Sequence, residues 1–260
     1  MVEQGSEKRT ARSRQVPSVV HALRILDYLA HSSPEAGVTE IARALKINKS
    51  TCFNVLATLC ASQVVIKHPK VALYRLGPKL IELGNATRRN LSSWIGIRDR
   101  VREMVDQLRL TCLIGQVFAD GSGIVIVDRI VPARPGVSVL PVGHVIPMTG
   151  PAMGRAVLAS REDAEALELA RRLDLISSAG ELAFLGQLQA IRDKGFSTSV
   201  GEYDPGVNAV AMVFGGLPGA ELVLCVVGLK SHLPKSGLDT VGRRMRQTAR
   251  SLDTYRTAGV

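Results

Sequence analysis

Between Gly37 and Leu76 the apolar positions change period twice. Ile41, Ala42 and Leu45 recur at helical spacing behind Thr39, a residue suited to cap the helix N-terminus. Lys46, Ile47 and Asn48 then form a three-residue turn ending in a second capping residue, after which Cys52, Val55, Leu56 and Leu59 repeat as one face of a second helix. The opposite face holds Lys49, Ser50, Phe53, Asn54 and Ala57. Alternation follows, with Val64 and Ile66 in one strand and Tyr74 and Leu76 in another, joined by a tip that carries Lys67, His68 and Lys70. Upstream, Pro17 and Ser18 open a helix with Ser18 as cap and Val19, Leu23, Leu26 and Ala30 on one side. Three helices and a hairpin in this order outline a winged helix-turn-helix.

Gly77 and Pro78 break the last strand and start a helical segment through Leu80, Ile81 and Leu83, followed by a helix from Leu91 to about Arg109. From Thr111 the period becomes that of strands. TCLIGQVF and GIVIVDRIV flank the turn Ala119 to Ser122 as a hairpin, and a third strand is expected at Val137 to Leu140. A helix entered through Thr149, Gly150 and Pro151 comes next, then helices over 163–173 and 181–194, with Gly195 as the C-cap of the last. Strands return at 196–200, 207–214 and 221–229, with Leu217, Pro218 and Gly219 turning between the last two, and a final helix starts near Leu238. Strands, helices and strands again predict an α+β fold whose antiparallel sheet carries helices on its faces. The expected boundaries are a disordered basic arm over 1–16, the winged unit over 17–77, a linker helix region over 78–98 and a second domain over 99–260.

The charge is unevenly spread. Of the formal +10, residues 1–90 contribute +8 (14 Lys or Arg against 6 Asp or Glu) and residues 91–260 only +2 (19 against 17). A basic surplus on the winged unit can neutralise phosphates and release counterions, and a small, polar helix face fits a major groove. The arm, with Lys8, Arg9, Arg12 and Arg14, either tracks a groove or is a solvated tail. A hydrophobic content of 46% in 260 residues is ample for two cores. No membrane span or secretory leader is recognisable, so a cytoplasmic protein is expected.

Other chemistry finds little support. The four cysteines, Cys52, Cys60, Cys112 and Cys225, form no C-x-x-C pair, and the five histidines show no metal-ligand spacing. Neither a catalytic elbow nor a convincing acid-base pair occurs; Glu202 and Asp204, in a loop flanked by Gly and Pro, either cap backbone amides or line a pocket entrance. No enzyme, metal or cofactor is expected. A redox-sensing cysteine stays open as a minor alternative.

Several motifs carry a family resemblance: VPSVVHALRILDYLA at the start, GVTEIARALKINKSTCFNVLATL, YRLGPKLIELG, PMTGPAMGRAVLA and GFSTSVGEYDPGVNAVAMVF. In this order they resemble the IclR family of bacterial transcriptional regulators over nearly all of the chain from Pro17 onward. The resemblance implies a winged helix-turn-helix, a linker helix and a GAF-like effector-binding domain. It also implies a double-stranded DNA operator, a small-molecule effector, a homodimer or a tetramer of two dimers, and repression more often than activation. The expected DNA-reading residues are Arg14, Ser18, Thr39, Lys49, Ser50, Thr51, Phe53, Asn54, Lys67, His68, Lys70 and Arg75. Asn54 stands where relatives commonly have arginine, and Gln63 where a glycine commonly precedes the wing.

For the effector, the resemblance points to the sheet and the helix entered at Pro147 to Gly154. Backbone N–H groups at Ala152 and Met153 would meet a carboxylate there, as helix N-termini favour. The positions that carry an Asp, a Cys and two Ser in acid-binding relatives correspond to Ser199, Ala209, Cys225 and Val227. All four differ, which suits a larger or more apolar ligand such as an aromatic acid. Ser138, Leu140 and Ile146 complete the expected site.

Overall fold

The computed structural model describes residues 15–90, 94–132, 140–217 and 220–257, and the chain divides into two compact units, 1–91 and 92–260. Arg14, Ser138 and most of the third strand expected before Leu140 lie outside the described residues, as does the turn at Pro218 and Gly219.

In the first unit, α1 (Pro17–His31), α2 (Val38–Leu45) and α3 (Lys49–Ala61) surround a core of Ile25, Leu29, Ile41, Ile47, Cys52, Leu56, Val65 and Tyr74. Strands β1 (Ala36–Gly37), β2 (Val65–Lys67) and β3 (Leu73–Leu76) form an antiparallel sheet in the order β1-β3-β2, and α4 (Lys79–Asn90) follows the wing. Asn48 caps α3 as expected, its Oδ1 accepting from the Ser50 N–H at 3.0 Å and the Ser50 hydroxyl at 2.8 Å. The other two cap assignments fail. The cap of α1 is Val16 and that of α2 is Gly37, neither with a side-chain bond, so Ser18 and Thr39 sit inside the first turns. Pro17, which has no N–H to satisfy, takes over the start of α1.

Two faces also shift. In α1 the buried residues are Ile25 and Leu29, with Ala22 and Leu26 beside them, whereas Val19, Leu23 and Ala30 point to solvent. In β2 the buried residue is Val65, while Val64 and Ile66 are half-buried. Gln63 just before this strand has φ of 58°, the left-handed region that glycine tolerates and glutamine does not. Replacing Gln63 by glycine is expected to raise stability by about 0.5–1 kcal/mol, read as a higher urea midpoint at constant slope. A lowered midpoint would show that the Gln63 side chain contributes more than its backbone costs.

In the second unit, α5 (Trp94–Leu108) precedes the hairpin of β4 (Thr111–Val117) and β5 (Gly123–Ile130). A strand not expected from the sequence, β6 (Val145–Pro147), pairs along the edge of β5 from Gly123↔Pro147 to Val125↔Val145. Helices α6 (Met153–Ser160), α7 (Asp163–Arg172) and α8 (Glu181–Lys194) follow, and Gly195 closes α8 with φ of 76°. Strands β7 (Ser197–Val200), β8 (Val207–Leu217) and β9 (Ala220–Leu229) complete a six-stranded antiparallel sheet in the order β6-β5-β4-β9-β8-β7, and α9 (Leu238–Thr257) ends the described chain.

Alternation gives each strand two faces. Leu113, Ala211, Val223 and Cys225 join Ile124, Ile126 and Val157 in the core on the α6 side. Cys112, Val210 and Val226 are paired neighbours of opposite parity, and α5 and α9 pack together with α9 also on β8.

Candidate functional site

The second unit holds a cavity of about 130 Å³ lined by Leu113, Leu140, Ile146, Gly150, Pro151, Ala152, Met153, Ser199, Tyr203, Asp204, Val207, Ala209, Cys225 and Val227. Sheet register assembles its floor. Ser199 of β7 pairs with Ala209 of β8, which pairs with Val227 of β9, so the three form one cross-strand row. Leu113 and Cys225 pair in the next row. The start of α6 and Ile146 of β6 close the cavity from other sides.

All the expected effector positions within the described residues, namely Leu140, Ile146, Ala152, Met153, Ser199, Ala209, Cys225 and Val227, line this one space. Gly150 and Pro151 fall in the Pro147 to Gly154 stretch to which the resemblance pointed, whereas Leu113, Tyr203 and Val207 were not expected in the site. The sequence did suggest a pocket entrance for Asp204, and Asp204 serves both roles: it lines the cavity, and its Oδ1 accepts from the Gly206 N–H at 2.9 Å.

Arg155 of α6 frames the cavity. Its guanidinium donates to the carbonyls of Pro151 and Thr198, the latter at 2.8 Å, and to Glu202 Oε1 at 2.7 Å, tying α6 to β7 and to the β7–β8 loop. Arg155 holds the Glu202 carboxyl below the usual glutamate range against the opposing effect of burial, and the Val200 N–H and Ser199 hydroxyl add to it. A folded-state pKa below the unfolded one stabilises the fold above the unfolded value near 4.3. That stabilisation is lost as pH falls through the lowered folded value. With the Glu202 side chain 43% exposed, the gain over Glu202→Gln is expected to stay under about 1 kcal/mol at pH 7. Urea unfolding at pH 7 and pH 3 should show the difference in the first and not in the second.

The cysteines are thiols. All four are free, and burial pushes Cys225 up to about 12 and Cys112 higher still, so a reactive thiolate is scarce at neutral pH. Cys112 and Cys225 lie on opposite faces of adjacent strands. Among the described residues no cluster of His, Cys, Asp or Glu could hold a metal ion, and no helix is long and apolar enough to cross a membrane.

In the first unit, α3 exposes Lys49, Ser50, Phe53 and Asn54 on one face, with Thr51 half-buried. Arg75 lies exposed in β3 opposite Ile66, and Lys67 and Lys70 are exposed in the wing. His68 is different. It is half-buried, and its Nδ1 accepts from the Lys70 and Val71 N–H groups at 3.2 and 3.3 Å, so it shapes the wing turn. Ser18 and Thr39 are exposed within the first turns of α1 and α2.

Residues 18–66 match the IclR helix-turn-helix domain, and residues 93–254, more than half of the chain, match the family described as bacterial transcriptional regulator IclR C-terminal. The chain belongs to the IclR family. It is therefore a DNA-binding transcriptional regulator with a C-terminal effector-binding domain, in a family that is not enzymatic. It is 25% identical over 202 residues to the HTH-type transcriptional regulator XynR of Escherichia coli, covering 76% of this chain and 79% of XynR. An IclR family regulator from Brucella abortus has the same fold, with a TM-score of 0.80 at 21% identity over 97% of this chain and 96% of that one. An IclR regulator from Alicyclobacillus acidocaldarius gives 0.77 at 27% identity, covering 93% and 99%. In IclR terms, the cavity lies in the effector-binding domain and α3 is the second helix of the helix-turn-helix.

Proposed function

We propose that this regulator is a cytoplasmic repressor of catabolic genes that responds to a small aromatic organic acid and binds its operator as a homodimer or as a tetramer of two dimers. The observation that carries the effector reading is the wall chemistry of the cavity. Ile146, Met153, Ala209 and Val227 offer apolar contact for a ring, while the start of α6 at Ala152 and Met153 offers the positive end of a helix to a carboxylate. On the DNA side, Lys49, Ser50, Thr51, Phe53 and Asn54 would enter the major groove, and Lys67, Lys70 and Arg75 would hold phosphates beside it. The ligand acts through its different affinity for two arrangements of the DNA-reading units.

Calorimetry of the full chain against small hydrophilic acids and aromatic acids, paired with footprinting on the DNA upstream of its neighbouring genes, tests this reading. Aromatic acids should bind more tightly and should release the footprint. Tighter binding of glyoxylate or pyruvate than of every aromatic acid would sink the effector assignment, and a footprint strengthened by ligand would sink ligand-released repression. Asn54→Ala should weaken specific DNA binding by roughly tenfold and relax preference at one base position, as loss of a bidentate adenine contact does. Unchanged affinity and unchanged preference would remove Asn54 from the readout.

A further inference from the structure

Of the polar side chains that line the cavity, Ser199 and Tyr203 carry hydroxyls that donate or accept, and Asp204 carries a carboxylate. Asp204 commits Oδ1 to the Gly206 N–H, and among the described residues no protein donor meets Oδ2. Ser199 also lines the cavity, and its hydroxyl can accept from or donate to a ligand. No Lys, Arg or His is found among the described residues that line the space, so Asp204 supplies its formal charge. Arg155, beside the cavity, is engaged by Glu202, Thr198 and Pro151.

The Asp204 carboxylate constrains what the cavity can hold. A carboxylate next to Asp204 would be repelled, whereas one at the start of α6 meets the positive end of the helix. The part of the ligand that faces Asp204 must therefore be something other than an acid. Asp204 is exposed at the cavity mouth, so a ligand without a donor there leaves Oδ2 to water, whereas a ligand that carries one gains a hydrogen bond to a charged acceptor.

We infer that Asp204 is a specificity-determining residue that accepts a hydrogen bond from a hydroxyl or ammonium group carried by the effector away from its carboxylate. Resting on the effector reading above, the inference narrows the ligand class to hydroxylated or amino-substituted aromatic acids. The cavity then sets the orientation of the ligand, acid towards α6 and donor towards the β7–β8 loop. Ser199, on the same row as Ala209 and Val227, offers a hydroxyl that can also pair with such a ligand.

The experiment is calorimetry of the full chain and of Asp204→Asn with benzoate and phenylacetate, with their ring-hydroxylated and aminomethyl derivatives, and with phenol and anisole. Asparagine keeps an oxygen for the Gly206 N–H, so the turn is retained, and replaces the other oxygen by an amide NH2. A thermal melt of both proteins checks the fold. In the wild type the best donor-bearing derivative should bind roughly tenfold or more tightly than its parent acid, the worth of a hydrogen bond to a charged group. In Asp204→Asn that ratio should fall to about twofold or less, and the parent acid should bind as well as before or better, because a negative charge has left the cavity. The hydroxylated and aminomethyl series separate a hydroxyl donor from an ammonium donor. Phenol separates the two readings. If phenol binds more tightly than anisole in an Asp204-dependent way while no acid binds, the donor site stands and the carboxylate assignment falls. If acids bind but no donor improves them, or if Asp204→Asn weakens parent and derivative equally, the inference is overturned. Failure of every donor-bearing probe to bind also overturns it.

Discussion

Replacing Gly154 by alanine is expected to destabilise the C-terminal unit by about 3 kcal/mol, a large effect for a single methyl group. Gly154 lies in the first turn of α6, where an added Cβ would sit 1.9 Å from the Met148 carbonyl oxygen and 2.8 Å from its carbon. Both are backbone atoms, so no side-chain rotation relieves the overlap; the helix or the preceding turn must move. Met148 is itself buried in the core, and Gly150 and Gly154 carry the turn's hydrogen bonds to Pro147 and Gly150, at 2.7 and 3.0 Å. Movement here would also shift Ala152 and Met153, which line the cavity. Urea unfolding measures the loss. Gly186 is the control: it lies within α8 with open space around the added Cβ, so Gly186→Ala should stabilise by about 0.5–1 kcal/mol. Opposite signs at the two glycines would separate close packing from helix propensity, and a loss below about 1 kcal/mol at Gly154 would contradict the close approach.

Ala209→Phe is expected to weaken effector binding by on the order of a hundredfold while leaving ligand-free DNA binding intact. Ala209 stands in the middle of the row formed with Ser199 and Val227, and a benzyl group there occupies much of a cavity of about 130 Å³. The substitution places apolar bulk where the ligand's ring would lie, so it tests the location of the site independently of ligand identity. Calorimetry with the tightest wild-type ligand reads the first effect, and a mobility-shift assay without ligand reads the second. Unaltered ligand affinity in a protein of normal stability would move the effector site elsewhere.

Much of the helix-turn-helix was legible in residue order because its signals are local. Asn48 caps α3 from two residues away, and the 3.6-residue period of Cys52, Val55 and Leu56 fixes which side carries Lys49, Ser50, Phe53 and Asn54. The same reasoning misplaced α1, whose two apolar stripes are alike in composition. Ile25 and Leu29 face the core only because α2, α3 and β3 lie on that side. Thr39 and Ser18 have capping chemistry, but Gly37 and Val16 precede them at the points where the backbone turns helical. Strand β6 escaped notice because three residues carry too little alternation to read, and its existence depends on the edge of β5.

For the effector site, resemblance supplied Ser199, Ala209, Cys225 and Val227, and the paired register of β7, β8, β9 and β4 places them in two adjacent rows. The residues that the resemblance did not supply, Tyr203 and Asp204 among them, sit in a loop whose direction no period encodes. By itself, the sequence determined the order and type of the main elements, the outward face of α3 and the placement of the basic surplus, since each depends on neighbours within a turn or two of chain. Only the tertiary structure decided which stripe of α1 is buried, where β6 runs and which polar side chains line the cavity. Those outcomes rest on contacts between residues tens of positions apart, whose selection is made by packing and strand register.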